Sequence, residues 1–146
     1  MALTKSIEVH TLNSIKNGMV EFYTPQNSDQ TMLVQIPAHS IDDLFVHRHQ
    51  TDQLMAVRGS MVLVVLLDRH YQYIALSEDK PLVVTIPPMV PHAAINLSDE
   101  PCMLINAVQY HGTPTDRDYQ PMHPPLAYDW PLVSRLMPAW PVASPA

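Results

Sequence analysis

The sequence predicts an all-β domain, a sandwich or barrel, followed by a proline-rich arm. Three observations carry that expectation. Short runs dense in β-branched and aromatic residues recur between residues 17 and 111. Turn-forming stretches such as SEDK (77–80) and LSDEP (97–101) separate them at short spacing. No run in that span holds a helical period over three turns, and strands without intervening helices make sandwiches or barrels.

The expected strands follow in order. MVEFYT (19–24), MLVQIP (32–37) and DLFVHRH (43–49) come first. QLMAV (53–57) passes through Arg58-Gly59 into SMVLVVLL (60–67). YQYIAL (71–76) alternates, with Tyr71, Tyr73 and Ala75 on one face. PLVVTIP (81–87) and CMLINAVQY (102–110) complete the set. Composition changes after Gly112, where more than half of the 15 prolines lie. That segment, 112–146, cannot hold a long helix or a central strand. A single helical turn fits only near PLVSRL (131–136). Tyr119, Trp130 and Trp140 mark it as an arm that packs aromatics on the domain or on a partner.

The 146 residues suit one domain, 1–146, with a sizeable core. A net charge of −6 with eight Lys and Arg argues against nucleic acid and acidic membranes as partners. The single cysteine, Cys102, excludes an intramolecular disulfide and fits a reducing compartment. No run has the length of a signal peptide or a membrane span, so a cytoplasmic protein is expected.

Two stretches carry chemistry. In FVHRHQTDQ (45–53), His47 and His49 stand two apart on an expected strand and so share a face. In TIPPMVPHAAIN (85–96), Pro87, Pro88 and Pro91 stiffen the turn that delivers His92, and Asn96 follows four residues on. A metal ion is one reason to aim imidazoles at one place; hydrogen-bonded structural histidines are the other.

Together these stretches resemble the two signature motifs of the cupin superfamily, whose fold is a double-stranded β-helix, or jelly-roll, barrel. His47, His49 and Gly59 match the first motif; Pro87, His92 and Asn96 match the second. The resemblance implies His47, His49 and His92 as ligands of a divalent transition metal (Zn, Fe, Ni or Cu). Asp52 or Gln53 stands where the family has a fourth ligand, a Glu. Met89 replaces the glycine of the second motif. Tyr71, Tyr73, Met89 and Asn96 are candidate pocket residues.

A nearer resemblance, over about residues 50–131, is to the dTDP-4-dehydrorhamnose 3,5-epimerases. It rests on QLMAVRGSMVLVVL, IPPMVPHAAINLSDEP and YDWP. That family is metal-independent and uses a His base, for which His49 is the candidate, or His47 in the other register. Ile105 stands at the family's Tyr acid, Gln53 at its Lys, and no Asp follows YDWP to orient the base. Epimerase activity on dTDP-sugars is therefore not expected. The leading expectation is a metal-dependent cupin acting on a small molecule. The alternatives are a metal-independent keto-sugar epimerase or isomerase and a non-catalytic binding module. A homodimer is expected from the apolar arm.

The remaining candidates have plainer roles. His10, His39, His70, His111 and His123 lack ligand spacing, and Arg48 should point away from the paired histidines. Cys102, Met61 and Met103 read as filling residues.

Overall fold

The computed structural model describes residues 6–16, 20–24, 26–113, 115 and 121–137. Tyr119, Trp140 and the end of the arm lie outside the described residues, and so does Arg117.

Ten elements build two facing antiparallel sheets. One sheet joins β1 (Glu8–Thr11), β4 (Gln30–Ile36), β7 (Gln50–Arg58), β10 (Leu82–Ile86) and β12 (Cys102–Tyr110) in the order β1-β10-β7-β12-β4. The other contains β6 (Leu44–Phe45), β8 (Ser60–Leu67), β9 (His70–Ser77), β11 (His92–Asn96) and β13 (Pro121–Met122) in the order β13-β6-β11-β8-β9. β5 (Ser40–Ile41) adds to β11, and β2 (Asn13–Lys16) pairs with β3 (Val20–Tyr23) separately. This is the antiparallel jelly-roll barrel that the sequence predicts.

Alternation decides what each sheet puts inside. From β7, Leu54 and Ala56 meet Met61, Leu63 and Val65 of β8 and Leu104 of β12 in the core between the sheets. The intervening residues of β8, Val62 and Val64, face outward and are buried as well. They pack with Ile95, Tyr128 and Val133, because the arm folds back over them. A strand covered on both faces reads as an unbroken apolar run, which is what SMVLVVLL shows.

The tight turns follow from backbone chemistry. Gly59 has φ +77° between β7 and β8, and a Cβ there would lie 2.6 Å from the Pro101 carbonyl oxygen. The β8–β9 hairpin closes through Asp68 and Arg69, both at positive φ, as a two-residue primed turn requires.

One expectation is corrected. The strand expected at 43–49 ends after Phe45, and residues 46–49 leave the sheet before β7 begins at Gln50. The described part of the arm is ordered against the barrel. β13 pairs with β6, and α1 (Trp130–Leu136) packs on β9. Asp129 caps α1 by accepting from the Leu132 amide at 3.1 Å, and Pro131 opens its first turn. Among the described residues, no helix is long and apolar enough to cross a membrane.

Candidate functional site

Asp52 lies at the centre of the site. It shares an inward parity with Leu54, so β7 carries it into the barrel, where it is almost fully buried. Its two oxygens do different work. Oδ1 accepts from Gln50 Nε2 at 2.5 Å and from Asn106 Nδ2 at 3.1 Å. Oδ2 faces His92 Nε2 at 3.1 Å and His47 Nε2 at 3.4 Å. Burial pushes the Asp52 carboxyl up, but the His92 hydrogen bond, the charges of His92 and His47 and the Gln50 bond outweigh it. The carboxyl is held at about 2, so it is an anion at neutral pH.

His92 opens β11 after the proline turn. Its Nδ1 is 2.9 Å from the Val90 carbonyl oxygen. A carbonyl only accepts, so Nδ1 carries a hydrogen. In the neutral ring Nε2 would then present a lone pair to the Asp52 anion. The contact is favourable only if Nε2 also carries a proton or if a cation lies between them. His47 comes from the segment linking β6 to β7, and its ring centroid lies 5.3 Å from that of His92. The Met89 amide holds this segment by donating to the His47 carbonyl at 2.7 Å. Met89 takes φ +67° to do so. A methionine thus adopts the left-handed backbone that a glycine would favour.

The cluster lies in a cavity of about 170 Å³, room for five or six waters at ~30 Å³ each. The walls are largely apolar: Val34, Ile36, Phe45, Leu54, Met61, Leu63 and Leu104, with Asp42 the other carboxylate. No Lys or Arg is among these lining residues.

The structure brings together His47, Asp52 and His92 and leaves out six other residues expected there. His49 is exposed beside Gly112, where a Cβ would meet its ring at 3.2 Å, because residues 46–49 are not a strand and the alternation fails. The three-imidazole arrangement is therefore replaced by two imidazoles and a carboxylate. Gln53 has the opposite parity to Asp52 and donates to the Asn27 and Ala107 carbonyls, each at 2.9 Å. Tyr71 and Tyr73 do not line the cavity. They hold the arm from outside, with Tyr71 Oη donating to the Leu126 carbonyl at 2.8 Å and Tyr73 Oη accepting from the Asp129 amide at 2.8 Å. Asn96 is a fully buried structural residue. Its Nδ2 donates to the Ile36 and Glu100 carbonyls and its Oδ1 accepts from Ser98. Met89 stays half exposed on its turn.

Other candidates also fall away from the cavity. His10, His39, His70, His111 and His123 are on the surface. Ile105, at the expected acid position, faces the other side of β12 from Leu104 and Asn106. Burial, then the charge of Glu78, pushes the Cys102 thiol up to about 11, so it packs as a small hydrophobe. Gln50 and Asn106, which hold Asp52, were not singled out in the sequence. The available signal was parity, since Asn106 falls in line with the buried Cys102, Leu104 and Val108.

No protein-family model and no curated protein matches the chain. Solved structures share its fold. The 4-keto-6-deoxy sugar epimerase NovW from Streptomyces spheroides is 18% identical with a TM-score of 0.66, over 100% of this chain and 85% of that one. A dTDP sugar isomerase from Desulfovibrio desulfuricans is 14% identical with a TM-score of 0.66, over 89% of each chain. A variant of the 3,4-ketoisomerase QdtA from Thermoanaerobacterium thermosaccharolyticum, in complex with TDP-4-keto-6-deoxyglucose, is 12% identical with a TM-score of 0.64, over 78% of this chain and 86% of that one. The chain shares the antiparallel barrel fold of these sugar epimerases and isomerases.

Proposed function

We propose that the protein is a metal-independent isomerase or epimerase that moves a proton next to the carbonyl of a small keto sugar or similar hydroxyketone. The observation that carries this reading is the buried Asp52 anion, whose Oδ2 faces the Nε2 atoms of both His47 and His92 inside a small apolar cavity. The shared fold of the keto-sugar enzymes supports it.

The roles follow from the contacts. Asp52 fixes the orientation of His47, which takes the proton from the carbon beside the carbonyl. His92, protonated between the Val90 carbonyl and Asp52, supplies positive charge near the enolate that forms. The apolar walls exclude water and strengthen both effects. No Lys or Arg is among the described lining residues to anchor a pyrophosphate, which favours the sugar itself over its nucleotide-linked form. The test is to incubate the protein with 4-keto-6-deoxyglucose, free and TDP-linked, in deuterated water. Enzyme-dependent deuterium uptake beside the ketone, lost in His47→Asn, is the expected result; no uptake from either form sinks the reading.

One observation favours a second reading, a divalent metal. The ligand atoms of His47, Asp52 and His92 lie within 4.8 Å of one another. The separations of 3.1 and 3.4 Å match the ~3.0–3.4 Å spacing of neighbouring donors around an ion with bonds near 2.1 Å. Two imidazoles and a carboxylate fit such an ion, and Val90, Gln50 and Asn106 would orient the ligands from outside. When bound, a metal would polarise the substrate carbonyl as a Lewis acid. Metal analysis of the purified protein separates the readings: stoichiometric metal supports this one, and exchange without metal supports the first. A homodimer belongs to the proposal as well. Leu126 and Trp130 leave exposed apolar surface on the docked arm, and light scattering giving a 16.5 kDa particle would refute it.

A further inference from the structure

We propose that Asp42 is the second proton-transferring group of the cavity and returns a proton to the substrate from the wall opposite Asp52. This rests on the isomerase reading above and adds the acid that the matching Ile105 position lacks.

The placement carries the argument. Asp42 joins β5 to β6 and lines the same cavity as His47, Asp52 and His92. It belongs to the six-stranded side, whereas Asp52 arises from β7 of the facing sheet. Its backbone is fixed, the Asp42 amide donating to the Ala94 carbonyl at 3.1 Å. Ala93 and Ala94, also in the lining, leave space beside it. Inversion at a carbon requires an acid distinct from the base, and Asp42 lines the cavity apart from the His47, Asp52 and His92 cluster.

The electrostatic surroundings ease protonation of this carboxyl. Burial, then the charge of Asp43, pushes the Asp42 carboxyl up from its ordinary value. The titratable groups around it are Asp43, with His123 Nδ1 3.8 Å from that carboxylate, and the His47, Asp52 and His92 cluster across the cavity. No Lys or Arg is among the described residues lining the cavity.

The chemistry balances. His47 takes the proton from carbon, and the C–H electron pair forms a C=C bond as the carbonyl becomes an enolate. The enolate then collapses to a carbonyl. Its new C–H bond takes the proton of the Asp42 carboxyl, and the O–H pair stays on Asp42. His47 and Asp42 regain their starting states by exchange with water, and nothing is oxidised or reduced.

The experiment compares the wild-type protein with Asp42→Asn on 4-keto-6-deoxyglucose in deuterated water, reading exchange and product separately. The variant is expected to keep exchange beside the ketone and to lose product formation by about 10²–10⁴-fold, with partial recovery in Asp42→Glu. Product formation within twofold of wild type in Asp42→Asn overturns the assignment, and so does equal loss of exchange and product in a folded variant. Asp42→Ser is read in the same way if Asp42→Asn does not give a native melting transition. A wild-type protein without exchange removes the isomerase reading and this inference with it. A wild type that exchanges, with an unaffected Asp42→Asn, removes this inference alone.

Discussion

Asn106 and Asp52 are joined across neighbouring strands: Asn106 Nδ2 donates to Asp52 Oδ1 at 3.1 Å, while Asn106 Oδ1 accepts the Gln53 amide at 3.0 Å. One buried amide thus steadies a carboxylate and satisfies the backbone beside it. Replacing Asn106 by Leu keeps the branched shape but leaves the Gln53 amide without this acceptor and Asp52 short of a donor. A loss of about 1–3 kcal/mol in urea unfolding is expected. Unchanged stability would mean that water replaces both bonds.

The left-handed backbone at Met89 gives a prediction of opposite sign. An L-residue at φ +67° costs about 1–2 kcal/mol, and the half-exposed Met89 side chain recovers little of that by burial. Glycine relieves the strain, offset by ~0.5–1 kcal/mol of chain entropy. Met89→Gly should therefore melt at or slightly above wild type, and Met89→Val clearly below it. A Met89→Gly variant that melts well below wild type would show that the side chain contributes packing.

The legibility of the sequence divides along physical lines. β8 and β12 match the expected 60–67 and 102–110 because long apolar runs are bounded there by turn residues. The 43–49 run failed because a local pattern cannot show that Phe45 pairs with Pro121, far along the chain, and that the strand ends there. His49 fell with it, since its place in the site depended on strand alternation. Parity within β7 separates Asp52 from Gln53 once Leu54 is known to face the core. Tyr71 and Tyr73 were misplaced because their face looks equally apolar whether it meets a cavity or a returning arm. Pro-rich composition gives no sign of where that arm lands.

The exposure of His49 leads to a contrast between two histidines. His49→Ala should leave proton exchange within about twofold of wild type, whereas His47→Ala should lower it by about 10²–10⁴-fold. If metal is found, His47→Ala and His92→Ala should lose it and His49→Ala should retain it. Metal or activity lost in His49→Ala alone would return His49 to the site.

The last prediction concerns acid stability. Asp52 is held at about 2, against 3.8 for an ordinary aspartate, and its side chain is 4% exposed. A carboxyl with a depressed folded-state value binds its proton more readily in the unfolded chain. Its contribution is therefore complete above about pH 4 and is lost as pH falls towards 2. A difference of nearly two units corresponds to about 2 kcal/mol at 1.36 kcal/mol per unit. Other carboxylates titrate in the same window, so the quantity to measure is the difference between wild type and Asp52→Asn. Urea midpoints taken between pH 2 and 6 should show wild type losing about 2 kcal/mol more than the variant below pH 4, with parallel curves above it. Parallel curves throughout would mean that Asp52 gains no net stabilisation from His47 and His92, and the orienting role given to it would fail.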